Sequence, residues 1–155
     1  MTLVVSDASP LIALHQIDEL QLLQGLFGEA VIPPAVAREV TPGVPLPPWV
    51  KTRRPEQPVA QAILLASLGP GESEAISLAQ EIHAEWLLLD DRPARRLAEA
   101  LGLSVAGTLG LLVRAKEKDL LDAVRPRVEA LLALGFRASP ALVENILRQA
   151  GEGTP

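Results

Sequence analysis

The 155-residue chain reads as an α/β domain with a short-stranded, mainly parallel central sheet covered on both faces. Three observations predict it. Four short runs of branched and apolar residues, at 2–6, 30–32, 86–89 and 103–105, are continuous rather than alternating, as strands buried on both sides are. Segments of helical periodicity separate them and are long enough to cross over a sheet. The length suits one compact domain, set at 1–150, with a flexible tail at 151–155.

The elements follow in order. The strand at 2–6 stops at Asp7-Ala8-Ser9-Pro10. Ser9 suits an N-cap and Pro10 a first helical position, which predicts a short helix over 11–15. Asp18 reads as the next N-cap; Leu20, Leu23, Leu26 and Phe27 share a face, and Gly28 ends that helix. After the strand at 30–32, Pro33-Pro34 opens a helix to about 40. The stretch 41–58 holds six prolines, which prevents regular helix and predicts a surface excursion with one extended piece at 49–52. Residues 59–68 are apolar almost all round, as a well-buried helix is. Gly69-Pro70-Gly71 breaks the chain, and a helix over 72–82 follows with Ala75, Ile76, Leu78 and Ala79 as its apolar stripe. Helices at 93–101 and 108–118 flank the strand at 103–105, and an amphipathic helix is expected over 120–134. Ser139-Pro140 repeats the cap-plus-proline start for a last helix ending near 150.

Composition narrows the chemistry. The absence of cysteine removes disulfides, Cys-zinc sites and thiol catalysis together. The two histidines, His15 and His83, stand in no metal spacing. A net charge of −5 argues against tight nonspecific nucleic-acid binding, though not against an enzyme that handles a nucleic acid briefly. No apolar run approaches the ~20 residues that span a bilayer. The N-terminus lacks a basic region followed by a long apolar one, so the expected compartment is the cytoplasm.

Carboxylates gather where a parallel sheet places ligands, beyond the carboxyl ends of its strands. Asp7 ends the first strand; Asp90 and Asp91 follow the third. Any of these could simply cap a helix. Glu39 ends a small apolar helix, and Glu72 and Glu74 lie in a first helical turn, where they would also complement the helix dipole. Several carboxylates together are unfavourable without a cation, and oxygen-only clusters suit hard divalent ions. Such an ion activates water and steadies a phosphate, which is the chemistry of phosphodiester hydrolysis.

Five segments, taken in order, resemble the PIN domains, the fold of VapC-like toxin ribonucleases, and in particular a prokaryotic PIN branch. They are Val5-Ser6-Asp7-Ala8-Ser9-Pro10-Leu11, Val31-Ile32-Pro33-Pro34-Ala35-Val36-Ala37-Arg38-Glu39, Gly71-Glu72-Ser73-Glu74-Ala75-Ile76, Leu87-Leu88-Leu89-Asp90-Asp91-Arg92 and Gly107-Thr108-Leu109-Gly110. The resemblance spans residues 3–147 and implies a three-layer α/β/α fold. It also implies an Mg²⁺- or Mn²⁺-dependent endoribonuclease, the toxin of a toxin–antitoxin pair. The implied metal and catalytic quartet is Asp7, Glu39, Glu74 and Asp91, with Glu72 and Asp90 as competing third and fourth acids; Glu74 and Asp91 stand 17 residues apart, which suits that pair. Asp90-Asp91 replaces the family's more usual Thr-x-Asp ending. Ser9 matches a supporting hydroxyl, and Thr108 reads as a helix cap or a hydroxyl at the site's edge.

Arg92, Arg95 and Arg96 are candidates for RNA phosphate contact, against the plainer reading of a solvated helix face; Arg53-Arg54 is similar. Trp49 and Trp86 read as packing residues. The resemblance further implies a small antitoxin partner and a homodimer, for which Leu20, Leu23 and Leu26 offer an apolar surface. Two other classes compete. A phosphoacceptor receiver also places acids at strand ends, with Lys116 as its lysine, but it carries paired acids after the first strand and this chain has Asp7 alone. A catalytically silent PIN-like binding module would have no need of acids at every expected place.

Overall fold

The computed structural model describes residues 2–57, 59–60, 63 and 66–153. The chain runs β1 (Val4–Ser6), α1 (Ala8–Gln16), α2 (Leu22–Phe27), β2 (Ala30–Ile32), α3 (Pro34–Val40) and β3 (Val50–Thr52). It continues with α4 (Pro70–Glu81), β4 (Trp86–Leu88), α5 (Arg92–Ala100), β5 (Val105–Ala106), α6 (Thr108–Glu117), α7 (Arg125–Ala133) and α8 (Pro140–Gln149). The strands form one sheet of order β3-β2-β1-β4-β5, and every pairing is parallel. Helices flank this sheet, as the continuous apolar strands require: all three residues of β1 are buried, so both its faces are covered. Leu11, Leu14, Leu23, Ile32, Ile76, Leu87, Leu88, Leu111 and Leu112 fill the core between the layers.

The differences from the sequence reading have local causes. The extended piece inside the proline-rich excursion pairs with β2 and becomes the fifth strand, at the sheet's edge. Prolines are tolerated around an edge strand because fewer ladder bonds are lost there. The cap of helix α1 lies two residues before the expected one: Asp7 is its N-cap, and Ser9 and Pro10 lie inside the first turn, where proline's missing N–H costs nothing. Asp18 does not cap α2 but turns the chain with φ +56°, a conformation short polar residues accept. The helix expected over 120–134 begins at Arg125, because Pro126 belongs in a first turn. Leu20 and Leu23 are buried in the core, so the apolar surface expected there is already used. Of the helix expected over 59–68, residues 61–62 and 64–65 lie outside the described residues; 59–60 and 66–68 are not helical, and Ile63 is fully buried.

The segment after α8, expected as a tail, carries an anchor at Glu152. Its carboxylate accepts from the Val124 and Arg125 N–H groups at 2.7 and 3.0 Å and from Lys116 Nζ at 3.0 Å. Among the described residues no helix is long and apolar enough to cross a membrane.

Candidate active site

The chain leaves β1 toward β2 and β3, then returns to build β4 and β5 on the other side of β1. Connections therefore diverge between β1 and β4, and a crevice opens beyond their carboxyl ends. It is a cleft of about 580 Å³ whose lining includes Asp7, Ser9, Glu39, Glu72, Asp90 and Asp91.

Each carboxylate reaches the cleft from a different element. Asp7 sits at the β1–β4 seam, where its N–H donates to the Leu88 carbonyl at 2.9 Å. It caps α1 by position, but its side chain makes no capping hydrogen bond. It is 5% exposed, and its Oδ1 is buried with no hydrogen-bond partner. Glu39 arrives from α3 and Glu72 from the first turn of α4. These two helices approach closely because residue 71 is glycine: a Cβ there would lie 2.5 Å from Glu39 Oε1 and 3.3 Å from Asp7 Oδ1. Asp90 joins three segments. Its Oδ2 accepts from Ser9 Oγ at 3.1 Å and Thr108 Oγ1 at 2.7 Å, and its Oδ1 accepts from the Thr108 N–H at 2.7 Å. Asp91 caps α5, accepting from the Ala94 N–H at 3.0 Å through Oδ2.

Crowding of like charges leaves its mark on two groups. Burial pushes Asp7 up to about 6; the Ala8 N–H offsets part of this, and the negative charges of Glu39, Asp90 and Asp91 add to it. Burial pushes Glu72 up to about 7, reinforced by the charges of Asp91 and Asp7 and by a hydrogen bond with Asp91. The cleft thus gathers carboxylates that resist holding their combined negative charge.

A family profile described as a PIN domain matches residues 3–152. The chain belongs to the PIN-domain family. PIN domains are in general nucleases and act on nucleic acid. No curated protein matches the chain.

The resemblance implies a divalent metal, and the cleft offers such an ion oxygen donors. The donors are all carboxylate oxygens, Asp7 Oδ1 is an orphaned buried acceptor, and Gly71 leaves a cradle beside it that any Cβ would fill. The carboxylates are not drawn into a finished cage, however. Among the described residues no group of three acidic or histidine side chains stands in ion-ligand array.

One expected member of the quartet stands apart from the others. Glu74 lies outside it, 3.8 Å from Arg38 on another face, whereas Glu72 lines it. Residues two apart on a helix point to different sides, so one of this pair had to turn away. The cleft brings together Asp7, Glu39, Asp91 and the two alternative acids, Glu72 and Asp90. Ser9 and Thr108 both donate to Asp90, and Thr108 is the first residue of α6 and not its cap, which is Gly107. Arg92 and Arg95 line a cavity adjoining the cleft; Arg96 lines none of the clefts described. Sequence reasoning missed Phe136 and Arg137 in the loop between α7 and α8, which lie against the cleft. Their one signal was Gly135-Phe136-Arg137, with one of the chain's two phenylalanines placed in a loop.

Proposed function

We propose that this PIN domain is an Mg²⁺- or Mn²⁺-dependent endoribonuclease and acts as the toxin of a toxin–antitoxin pair. The observation that carries the nuclease reading is the buried, unpartnered Oδ1 of Asp7 in a pocket of carboxylates. Such an arrangement wants a cation. Asp7, Glu39 and Glu72 would hold the ion, with Asp91 beside Glu72. When bound, the ion supplies an activated water and charge stabilisation at a phosphodiester. Asp90 fixes the end of β4 against α1 and α6 through Ser9 and Thr108, and offers its remaining lone pair to the same space. Burial and the charges of Asp91 and Asp7 push Glu72 up to about 7 in the metal-free cleft, and a bound cation would favour its ionised, ligating form.

The decisive experiment is cleavage of RNA by the purified chain with Mn²⁺ or Mg²⁺, against chelator and against Asp7→Asn. Cleavage that needs the metal and Asp7 is expected; a rate indifferent to both rejects the site. Metal should also raise the melting temperature, since an ion bound by the folded cluster alone stabilises it. The toxin role adds a small antitoxin and a second copy of this chain as partners, with an RNA as substrate. Growth arrest on expression, relieved by the adjacent small open reading frame, is the expected result. A neighbour that neither binds nor relieves arrest removes the toxin role and leaves the nuclease standing. Light scattering at micromolar concentration tests the dimer.

A further inference from the structure

Three adjoining hollows share one wall. The carboxylate cleft of about 580 Å³ meets a hollow of about 790 Å³ and a groove of about 590 Å³, and Asp90, Phe136 and Arg137 line all three. Together they make a trough that leaves the carboxylates, passes the Phe136–Arg137 corner and runs between α6 and α8. Its charge differs from that of the cleft. Arg92, Arg95, Arg114 and Arg137 line the trough, against the carboxylates of Asp90 and Glu117.

Among the described residues none of those four arginines is paired with a carboxylate. Arg114 instead lies 4.0 Å over the Trp86 ring. Arg95 is half-buried, and its Nη1 donates to the Leu89 carbonyl at 3.4 Å. The guanidinium has room because residue 107 is glycine: a Cβ there would lie 2.5 Å from Arg95 Nη1 and 3.0 Å from Asp90 Oδ1. A guanidinium anchored through one nitrogen, and in no ion pair among the described residues, is suited to a phosphate. Next to it Phe136 shows part of its ring at the shared wall. A base can lie on such a ring if it is not already stacked in a duplex.

We infer that the trough is the track of a single-stranded RNA substrate, in which Arg95 and Arg137 hold backbone phosphates flanking the cleft and Phe136 receives an unstacked base. This rests on the nuclease reading for its direction toward the carboxylates, but binding can be measured apart from cleavage.

The test is fluorescence anisotropy of a short 5′-fluorescein single-stranded RNA of mixed sequence, in EDTA, with the same sequence as a duplex for comparison. The wild-type chain should prefer the single strand. Arg95→Ala and Arg137→Ala should each weaken binding about tenfold and lower the salt slope by about 0.7. Phe136→Leu should weaken it about five- to hundredfold without changing the slope, and Phe136→Tyr should restore it. Arg95→Lys keeps a charge without the fork, and should fall between wild type and Arg95→Ala. Melting curves identify any variant that has lost its fold; for such a position the conservative variant decides. The inference is overturned if the wild type binds no single strand, if it binds the duplex equally well, or if trough variants bind as wild type does. Metal-dependent cleavage with unaffected trough variants would overturn the track and leave the nuclease. Weakened binding in a chain that never cleaves would uphold the track and reject the nuclease.

Discussion

Replacing Asp7 with asparagine should make the metal-free protein more stable. The carboxyl is 5% exposed and is held at about 6 rather than 3.8, first by burial and then by its acidic neighbours. At ~1.4 kcal/mol per pH unit, ionising it in the folded state costs about 3 kcal/mol. Relaxation around the new amide absorbs part of this, so a net gain of about 1–3 kcal/mol is expected. For a domain of this size each kcal/mol moves the melting temperature by about 2–4 °C. The direction with pH follows from the sign of the shift. An acid raised on folding is penalised once it ionises, so the penalty is complete above about 6, shrinks below it, and vanishes under 3.8. The assay is calorimetric or urea unfolding of both proteins in EDTA at pH 7.5 and again near pH 4. Asp7→Asn should win clearly at the higher pH and by little at the lower. Millimolar Mn²⁺ should stabilise the wild type and leave the variant unmoved. A variant no more stable in EDTA at pH 7.5, or an advantage that ignores pH, would refute the reasoning.

Other expectations follow from the same geometry. Gly71→Ala should change stability by less than about 1 kcal/mol, since Glu39 can swing away, yet weaken Mn²⁺ binding about tenfold or more by calorimetric titration. Glu72→Gln should cut the cleavage rate about a hundredfold or more, whereas Glu74→Gln, remote from the cleft, should leave it nearly intact; the reverse order would reject the placement. Thr108→Val removes the shortest hydroxyl contact to Asp90 from a fully buried site, and should cost about 1–3 kcal/mol in urea unfolding. At Glu152 burial opposes ionisation, but the Val124 and Arg125 N–H groups and Lys116 outweigh it and hold the carboxyl at about 2. Its contribution is therefore whole above 4.5 and lost as the pH falls toward 2, so Glu152→Gln should lower stability at neutral pH and flatten the acid limb of the unfolding curve.

Much of the fold was legible because buried parallel strands announce themselves as short continuous apolar runs. Val4–Ser6, Ala30–Ile32 and Trp86–Leu88 are such runs, and each stops where a turn residue appears. Val50–Thr52 was harder: two of its three residues are exposed, and an edge strand has little apolar pattern to show. Acids at strand ends pointed to the cleft, since chain order alone carries Asp7 and Asp90-Asp91 to one side of a parallel sheet. Choosing Glu72 over Glu74 required the helix phase. That phase depends on where α4 starts, and Pro70 set it earlier than the break at 69–71 suggested. Phe136 and Arg137 were hard to place for a different reason. Their place is decided by how α7 and α8 fold back over the sheet, which no local pattern records.

The position of β1 at the centre of the sheet has a consequence for synthesis. Val4 pairs with Trp86, Val5 with Leu87 and Ser6 with Leu88, so the first strand waits for a partner made more than 80 residues later. Asp90 in turn waits for Thr108. A growing chain holds Asp7 and Glu39 early but lacks the strand that closes the crevice beside them. Bringing such distant segments together is slow, and ribosomes add only about 5–20 residues per second. The carboxylate cleft is therefore assembled late, and a prematurely ended product lacking residues 86–108 has no crevice in which to gather its acids. Closing the sheet and bringing Asp90 and Asp91 beside Asp7 are, in this topology, the same event.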